Sequence, residues 1–255
     1  MDGSLNMISA LTSIVRFSSA NEELGAGLAV FPSLTEEELD RNVSLFLHPD
    51  EIRSGLSFAS DVRRRSFLQG RIAVKMAVKT IFPDIISSET GSGNGSLGEP
   101  VLKNFALPYG VSLAHSETWN AGMCFPFSVP MGIDIETISE KNGPVISSVL
   151  SNHEKELCKQ ESDPLWFLHV LWTMKEALGK AIRLGFRVPV EWYESESIQT
   201  LTAGNQLLHL CRFKHLSMFT AITLSLPQGI LSIAFPAEKN LEQAMIRLAG
   251  LKPIS

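Results

Sequence analysis

The chain has 255 residues, 44% hydrophobic and 19% charged, with a net charge of −5. This composition excludes intrinsic disorder, gives enough interior for one large or two compact folded units without disulfides, and argues against general nucleic-acid binding. Cys124, Cys158 and Cys211 are scattered without metal-ligand spacing, which fits a reducing, cytoplasmic compartment.

Apolar residues before Ser19 are interrupted by Ser, Thr and Asn and follow no basic start, so no signal peptide is expected. Nor does any stretch approach the roughly 20 apolar residues that cross a bilayer. Leu24 to Phe31 predicts a short buried strand stopped by Pro32, and Ser33 with Glu36 has the spacing of a capping box that opens a helix. Asp61 to Phe82 predicts a longer helix, with Leu68, Ile72 and Met76 on one stripe and Arg64, Arg71 and Lys75 along its flank. Residues 61–79 carry Arg63, Arg64, Arg65, Arg71, Lys75 and Lys79 against Asp61 alone. Such a basic helix is either a solvated face or a surface for an anion.

Pro83 closes this helix. The Ser/Gly-rich stretch Ser87 to Gly98 predicts a flexible surface loop, since it lacks the Lys and Ser/Thr of a phosphate-cradling P-loop. Val111 to His115, Ala121 to Phe125 and Met131 to Glu136 predict short strands. Ser151 and Glu154 form a second capping box for a helix reaching Gln160, and Asp163-Pro164 starts a long helix to about Leu184, where Gly185 supplies a stop. Leu207 to Phe213, Met218 to Leu226 and Ile230 to Phe235 read as strands of an antiparallel sheet, and Glu238 to Leu248 as a final amphipathic helix.

Each half therefore contains a capped helix, a longer helix and several strands. The expectation is an α+β fold of two similar α/β halves related by a pseudo-two-fold duplication, each an antiparallel-rich sheet packed against helices. The halves span residues 1–128 and 129–255, with the boundary near Phe127 to Pro130 and the active site in the cleft between them. One chain holding both halves closes the cleft internally, which predicts a monomer.

The chemistry concentrates in two motifs. In Gly132-Ile133-Asp134-Ile135-Glu136 the strand period of two points both carboxylates one way. Like charges side by side repel unless a cation compensates, and hard oxygen ligands without His or Cys favour Mg²⁺; a solvated edge strand is the bland alternative. In Trp172-Thr173-Met174-Lys175-Glu176-Ala177-Leu178-Gly179-Lys180, helical spacing aligns Trp172, Glu176 and Lys180 on one face. A surface Glu176–Lys180 ion pair is the plain alternative there.

In this order, with 41 residues between Asp134 and Glu176, the motifs resemble those of the Sfp-type 4′-phosphopantetheinyl transferases. The resemblance extends to Gly98-Glu99-Pro100 and to Ser112-Leu113-Ala114-His115-Ser116, and runs from roughly Leu45 to Pro189. It implies Mg²⁺-dependent transfer of 4′-phosphopantetheine from coenzyme A, the co-substrate, to a serine of an apo acyl- or peptidyl-carrier protein, with release of 3′,5′-ADP. Asp134, Glu136 and Glu176 would then hold the Mg²⁺ against the coenzyme A diphosphate. Glu176 and Lys180 would act in catalysis, Lys180 assisting the same phosphate or orienting Glu176, and the base is a carboxylate or a metal-bound water near Glu176. His115, Arg65, Arg71 and Lys180 would contact coenzyme A.

Two positions depart from the family pattern: Glu99 stands where its Gly-Lys-Pro has lysine, and Ala114 replaces the serine before the histidine. They motivate a second reading, a non-catalytic homologue that binds a carrier protein or acyl-coenzyme A as an interaction factor. A third, an unrelated Mg²⁺-dependent phosphoryl-transfer enzyme, finds no P-loop or kinase-like motif in the sequence.

Overall fold

Alternating apolar residues draw the strands into two antiparallel sheets whose inner faces meet. The computed structural model describes residues 8, 10–19, 22–203 and 206–239. In chain order the elements are β1 (Leu11–Ser19), β2 (Glu22–Pro32), α1 (Glu36–Phe46), α2 (Pro49–Leu56), α3 (Asp61–Ile81), β3 (Gly91–Asn94), β4 (Pro100–Lys103), β5 (Tyr109–His115) and β6 (Trp119–Pro126). They continue with β7 (Gly132–Thr137), α4 (Gly143–Ser148), α5 (Asn152–Gln160), α6 (Pro164–Ala181), β8 (Ser195–Ala203), β9 (Gln206–Phe213), β10 (Phe219–Leu226) and β11 (Gly229–Pro236).

The first sheet has the order β1-β2-β6-β5 and the second β7-β11-β10-β9-β8, while β3 and β4 form a separate hairpin. Leu28, Val30 and Met123 of the first sheet pack on Ile133, Ile135, Ile222 and Ile233 of the second. On the outer face of the first sheet, Ala29, Val111 and Cys124 meet Val74, Ala77 and Val78 of α3. On the outer face of the second, Cys211, Ala221, Ile230 and Ala234 meet Val170, Met174, Ala177 and Leu178 of α6. The result is four layers, helix, sheet, sheet and helix, with α3 and α6 covering the outer faces of the two sheets. This is the mixed α/β, antiparallel-rich fold that the element pattern predicts. No described helix is long and apolar enough to cross a membrane.

Each long helix is tied to its neighbourhood by a buried ion pair. Lys75 of α3 donates to Glu51 at 2.7 Å, and Lys175 of α6 donates to Glu154 at 2.8 Å, all four side chains being at most 2% exposed. Both glutamates also close capping boxes, Glu51 with His48 on α2 and Glu154 with Ser151 on α5. Their second oxygens accept from serines, Ser92 Oγ at Glu51 and both the N–H and Oγ of Ser195 at Glu154. Burial pulls the Lys75 ammonium down in pKa, and Glu51 opposes that shift.

Several expectations are corrected by these contacts. The first capping box is Thr35 with Glu38, not Ser33 with Glu36, because the Ser33 hydroxyl donates to Glu117 O and its N–H to Thr118 O. Ser87 to Gly98 is a surface loop only at its end: Ser87, Thr90 and Ser92 are buried and β3 pairs with β4, while Ser96 to Gly98 lie in the exposed turn between them. The physical reason is the buried Lys75, which collects the carbonyls of Ser87 and Thr90. Helix α6 ends three residues early, with Arg183 in the left-handed region at φ 60° and Gly185 at φ 51°. The amphipathic helix expected over Glu238 to Leu248 lies, beyond Lys239, outside the described residues. The capping box at Ser151 and Glu154 forms as predicted.

His209 of β9 has a different kind of environment. Its Nε2 is buried without a partner among the described residues, its Nδ1 faces Thr200 Oγ1 at 3.3 Å, and Trp166 and Phe167 pack edge-on against the ring. Burial lowers its pKa, so the unfolded chain takes the proton first as pH falls. Stability is therefore full above the unfolded-state value of about 6.5 and declines below it, by at most about 1.4 kcal/mol per pH unit from this group. Urea unfolding at pH 7 and pH 5.5 is expected to show that loss, and His209→Phe to reduce it.

Candidate active site

The motif Gly132 to Glu136 works because β7 lies under α6. Ile133 and Ile135 face the inter-sheet core, which turns Gly132, Asp134 and Glu136 toward the helix. A Cβ on Gly132 would sit 2.1 Å from the Ala177 carbonyl oxygen, so only glycine lets α6 approach this closely. Strand and helix run in opposite senses, and the side chains meet in that order. Lys180 reaches Asp134, while Trp172, two turns earlier, reaches Glu136.

Asp134 is 5% exposed. Its Oδ1 accepts from Lys180 Nζ at 2.7 Å, and its Oδ2 is buried with no partner among the described residues. Glu136 Oε1 accepts from Trp172 Nε1 at 3.0 Å. Burial first, and then the Asp134 charge, push Glu136 up to about 7; the same two causes push Glu176 up to about 7. Lys180 opposes both shifts. Its ion-pair partner is Asp134, so the i,i+4 surface pair with Glu176 is not the arrangement adopted. Phe186 stacks on Trp172 at 5.2 Å and Tyr193 packs edge-on against Phe186, shielding this corner from water.

Of the three carboxylates, Asp134 alone pairs with Lys180, while Glu136 and Glu176 feel that charge without pairing to it. The donor set is all hard oxygen, with one buried carboxylate oxygen left over, and both features fit a divalent cation such as Mg²⁺ that also takes water and ligand oxygens. Among the described residues no group of three or more His, Cys, Asp or Glu side chains is arranged to hold a metal ion.

A cavity of about 730 Å³ opens beside this cluster. One wall is α3 with Val62, Arg63, Ser66, Phe67 and Arg71; the other is the end of α6 and the loop through Arg187; β5 forms the floor and the β3–β4 turn the roof. Lys180 and His115 line it next to the carboxylates. His115 ends β5 exposed to the cavity, and the surrounding protein together with Lys180 holds its pKa below the ordinary imidazole value.

Arg71 lies at the base, 4% exposed. Its Nη1 donates to Gly93 O at 3.3 Å, its Nη2 to Asn94 Oδ1 at 2.8 Å, and its Nε has no partner among the described residues. A buried cation with neutral partners is costly unless an anion arrives. Arg65, by contrast, is absent from the cavity lining: it donates to Glu36 Oε1 at 2.6 Å and to Leu34 O at 2.5 Å. Arg64 shares Glu36, and Lys75 serves Glu51, so the basic run of α3 divides into structural pairs and a cavity-facing subset.

Sequence reasoning overlooked Arg183 and Arg187, which line the cavity together with Arg63 of the basic run. A signal for Arg183 existed: it stands just past a helix end, where a left-handed residue is usually glycine. Ala114 is 2% exposed and packs in the inter-sheet core, so the departure there changes the core and leaves the cavity wall to Leu113 and His115.

Residues 130–231 match the model of the 4'-phosphopantetheinyl transferase superfamily. The chain is also 31% identical, over 110 residues, to the 4'-phosphopantetheinyl transferase gsp of Aneurinibacillus migulanus, a match covering 41% of this chain and 44% of that relative. The chain thus aligns with less than half the length of the relative. The resemblance read from the two motifs is borne out over the segment that contains both.

Proposed function

We propose that this chain, whose residues 130–231 match the model of the 4'-phosphopantetheinyl transferase superfamily, transfers 4′-phosphopantetheine from coenzyme A to a serine of an apo acyl- or peptidyl-carrier protein. The observation that carries this reading is the Asp134–Lys180 pair, with Glu136 and Glu176 within reach of its charges, at the edge of a cavity whose lining includes Arg63, Arg71, Arg183 and Arg187. Asp134, Glu136 and Glu176 are the residues that would hold Mg²⁺, which when bound neutralises charge on the coenzyme A diphosphate.

The chain's own groups then have defined work. Arg71 and His115 bind the anionic and polar parts of coenzyme A, and Lys180 offers its ammonium to the diphosphate while fixing Asp134. Apolar cavity residues such as Phe67, Leu113 and Phe125 exclude water from the reacting centre. The serine hydroxyl oxygen forms a bond to the β-phosphorus as the bond to 3′,5′-ADP breaks. The hydroxyl proton passes to Glu176, and 3′,5′-ADP departs with the bonding pair.

One chain supplies both walls of the cavity, from α3 and from α6, which supports a monomer of two halves, 1–128 and 129–255. Three buried thiols without disulfides support a cytoplasmic setting. The test is release of 3′,5′-ADP, read by ion-pair chromatography, from coenzyme A mixed with the protein, Mg²⁺ and an apo carrier domain. Release equal to the carrier consumed, and abolished by chelation, is the expected outcome. Release that persists without carrier would contradict transfer.

A further inference from the structure

Resting on that reading, we propose that Glu99 is a positioning residue, an acid placed in an anion-binding cavity to aim Arg183 at the anionic end of coenzyme A. The cavity lining holds Arg63, Arg71, Lys180, Arg183 and Arg187, and Glu99 is an acid among them. Its side chain is 18% exposed and lines the cavity. Oε2 accepts from the Leu97 N–H at 3.0 Å, inside the β3–β4 turn. Oε1 faces Arg183 Nη1 at 4.0 Å, across the mouth. Arg187 Nη2 donates to Leu97 O at 2.9 Å, so two arginines from the loop after α6 hold the turn.

Arg183 is the costly member. It occupies the left-handed region at φ 60°, where a side chain is disfavoured and glycine is the ordinary occupant after a helix. Its guanidinium lies 5.6 Å over the Phe127 ring and remains 42% exposed, held on two sides and open on a third. The left-handed turn closes α6, the N–H groups of Arg183 and Leu184 donating to Lys180 O and Gly179 O, and arginine in place of the usual glycine there puts a guanidinium at the cavity. The acid at position 99 therefore does not repel the co-substrate. It fixes a cation that the opposite wall supplies, so the cation the cavity needs comes from position 183.

The opposed prediction is clean. If Glu99 merely repels phosphate, Glu99→Gln tightens binding; if it aims Arg183, Glu99→Gln weakens it. Calorimetric titration of the full chain with coenzyme A is expected to show about threefold weaker binding for Glu99→Gln. It should show about tenfold weaker binding for Arg183→Gly. Because glycine relieves the left-handed strain, Arg183→Gly should melt at no lower temperature than the parent, which separates lost binding from lost fold. Uncharged pantetheine should bind all variants alike.

Equal or tighter coenzyme A binding by Glu99→Gln, or unchanged binding by Arg183→Gly, overturns the proposal and leaves the transferase reading standing. A parent that binds inorganic pyrophosphate but no coenzyme A overturns the transferase reading, and the same variants titrated with pyrophosphate then decide the role of Glu99. Binding of neither probe overturns both.

Discussion

Asp134→Asn is expected to lower transfer to the carrier serine by about 10³-fold or more while leaving the fold in place. The carboxylate is buried, one oxygen is bound by Lys180, and the other has no partner among the described residues. Its negative charge raises the pKa of both Glu136 and Glu176. In the absence of a cation, therefore, Asp134 is a source of repulsion as well as a partner for Lys180. The amide keeps the shape, removes the repulsion and gives up one ion pair with a partly exposed lysine. Those terms oppose each other, so the melting temperature is expected to stay within about 3 °C of the parent. Single-turnover rates and thermal melts of the same preparation check both parts. A variant that loses activity and stability together would instead assign Asp134 a structural role.

The second large effect is on stability. Lys175→Met is expected to cost about 3–5 kcal/mol, because it leaves the Glu154 carboxylate buried against the Ser195 N–H and Oγ and the Ser151 N–H without its cation. For a chain of this size that is a fall of about 10 °C in melting temperature. Glu154 joins three elements, capping α5, pairing with α6 and holding the start of β8, so the loss spreads through the layer that carries Glu176 and Lys180. Replacing both members, Glu154→Leu with Lys175→Met, is expected to recover much of the loss, since no unpaired charge then remains. Chemical denaturation of the single and double variants measures this directly. A single variant as stable as the parent would show that the pair is not the tie described here.

Much of this was legible in the chain. Strand period and helical spacing alone place Asp134 with Glu136, and Trp172 with Glu176 and Lys180, and the structure brings the two sets together across β7 and α6. The Ser151 capping box was equally readable, since its residues interact locally. What escaped was set by distant partners. Ser87 to Gly98 reads as a loop because its order comes from Lys75, Glu51 and the pairing of β3 with β4, none of which is visible as local periodicity. Arg65 reads like Arg71, yet Glu36 and Leu34 hold one while the other lies at the cavity base. Arg183 and Arg187 fall after a helix stop, and only the closing of the β3–β4 turn onto that loop gives them a common neighbour.

The work proposed for the β7–α6 carboxylate cluster and the adjoining cavity is phosphopantetheine transfer. Its most direct test is the intact mass of an apo carrier domain after incubation with coenzyme A, Mg²⁺ and either the parent protein or Asp134→Asn. With the parent each carrier is expected to gain one phosphopantetheine group, confined to the acceptor serine, and with the variant none over the same period. A carrier unmodified by the parent across acyl- and peptidyl-carrier domains, or modified equally by the variant, would contradict it.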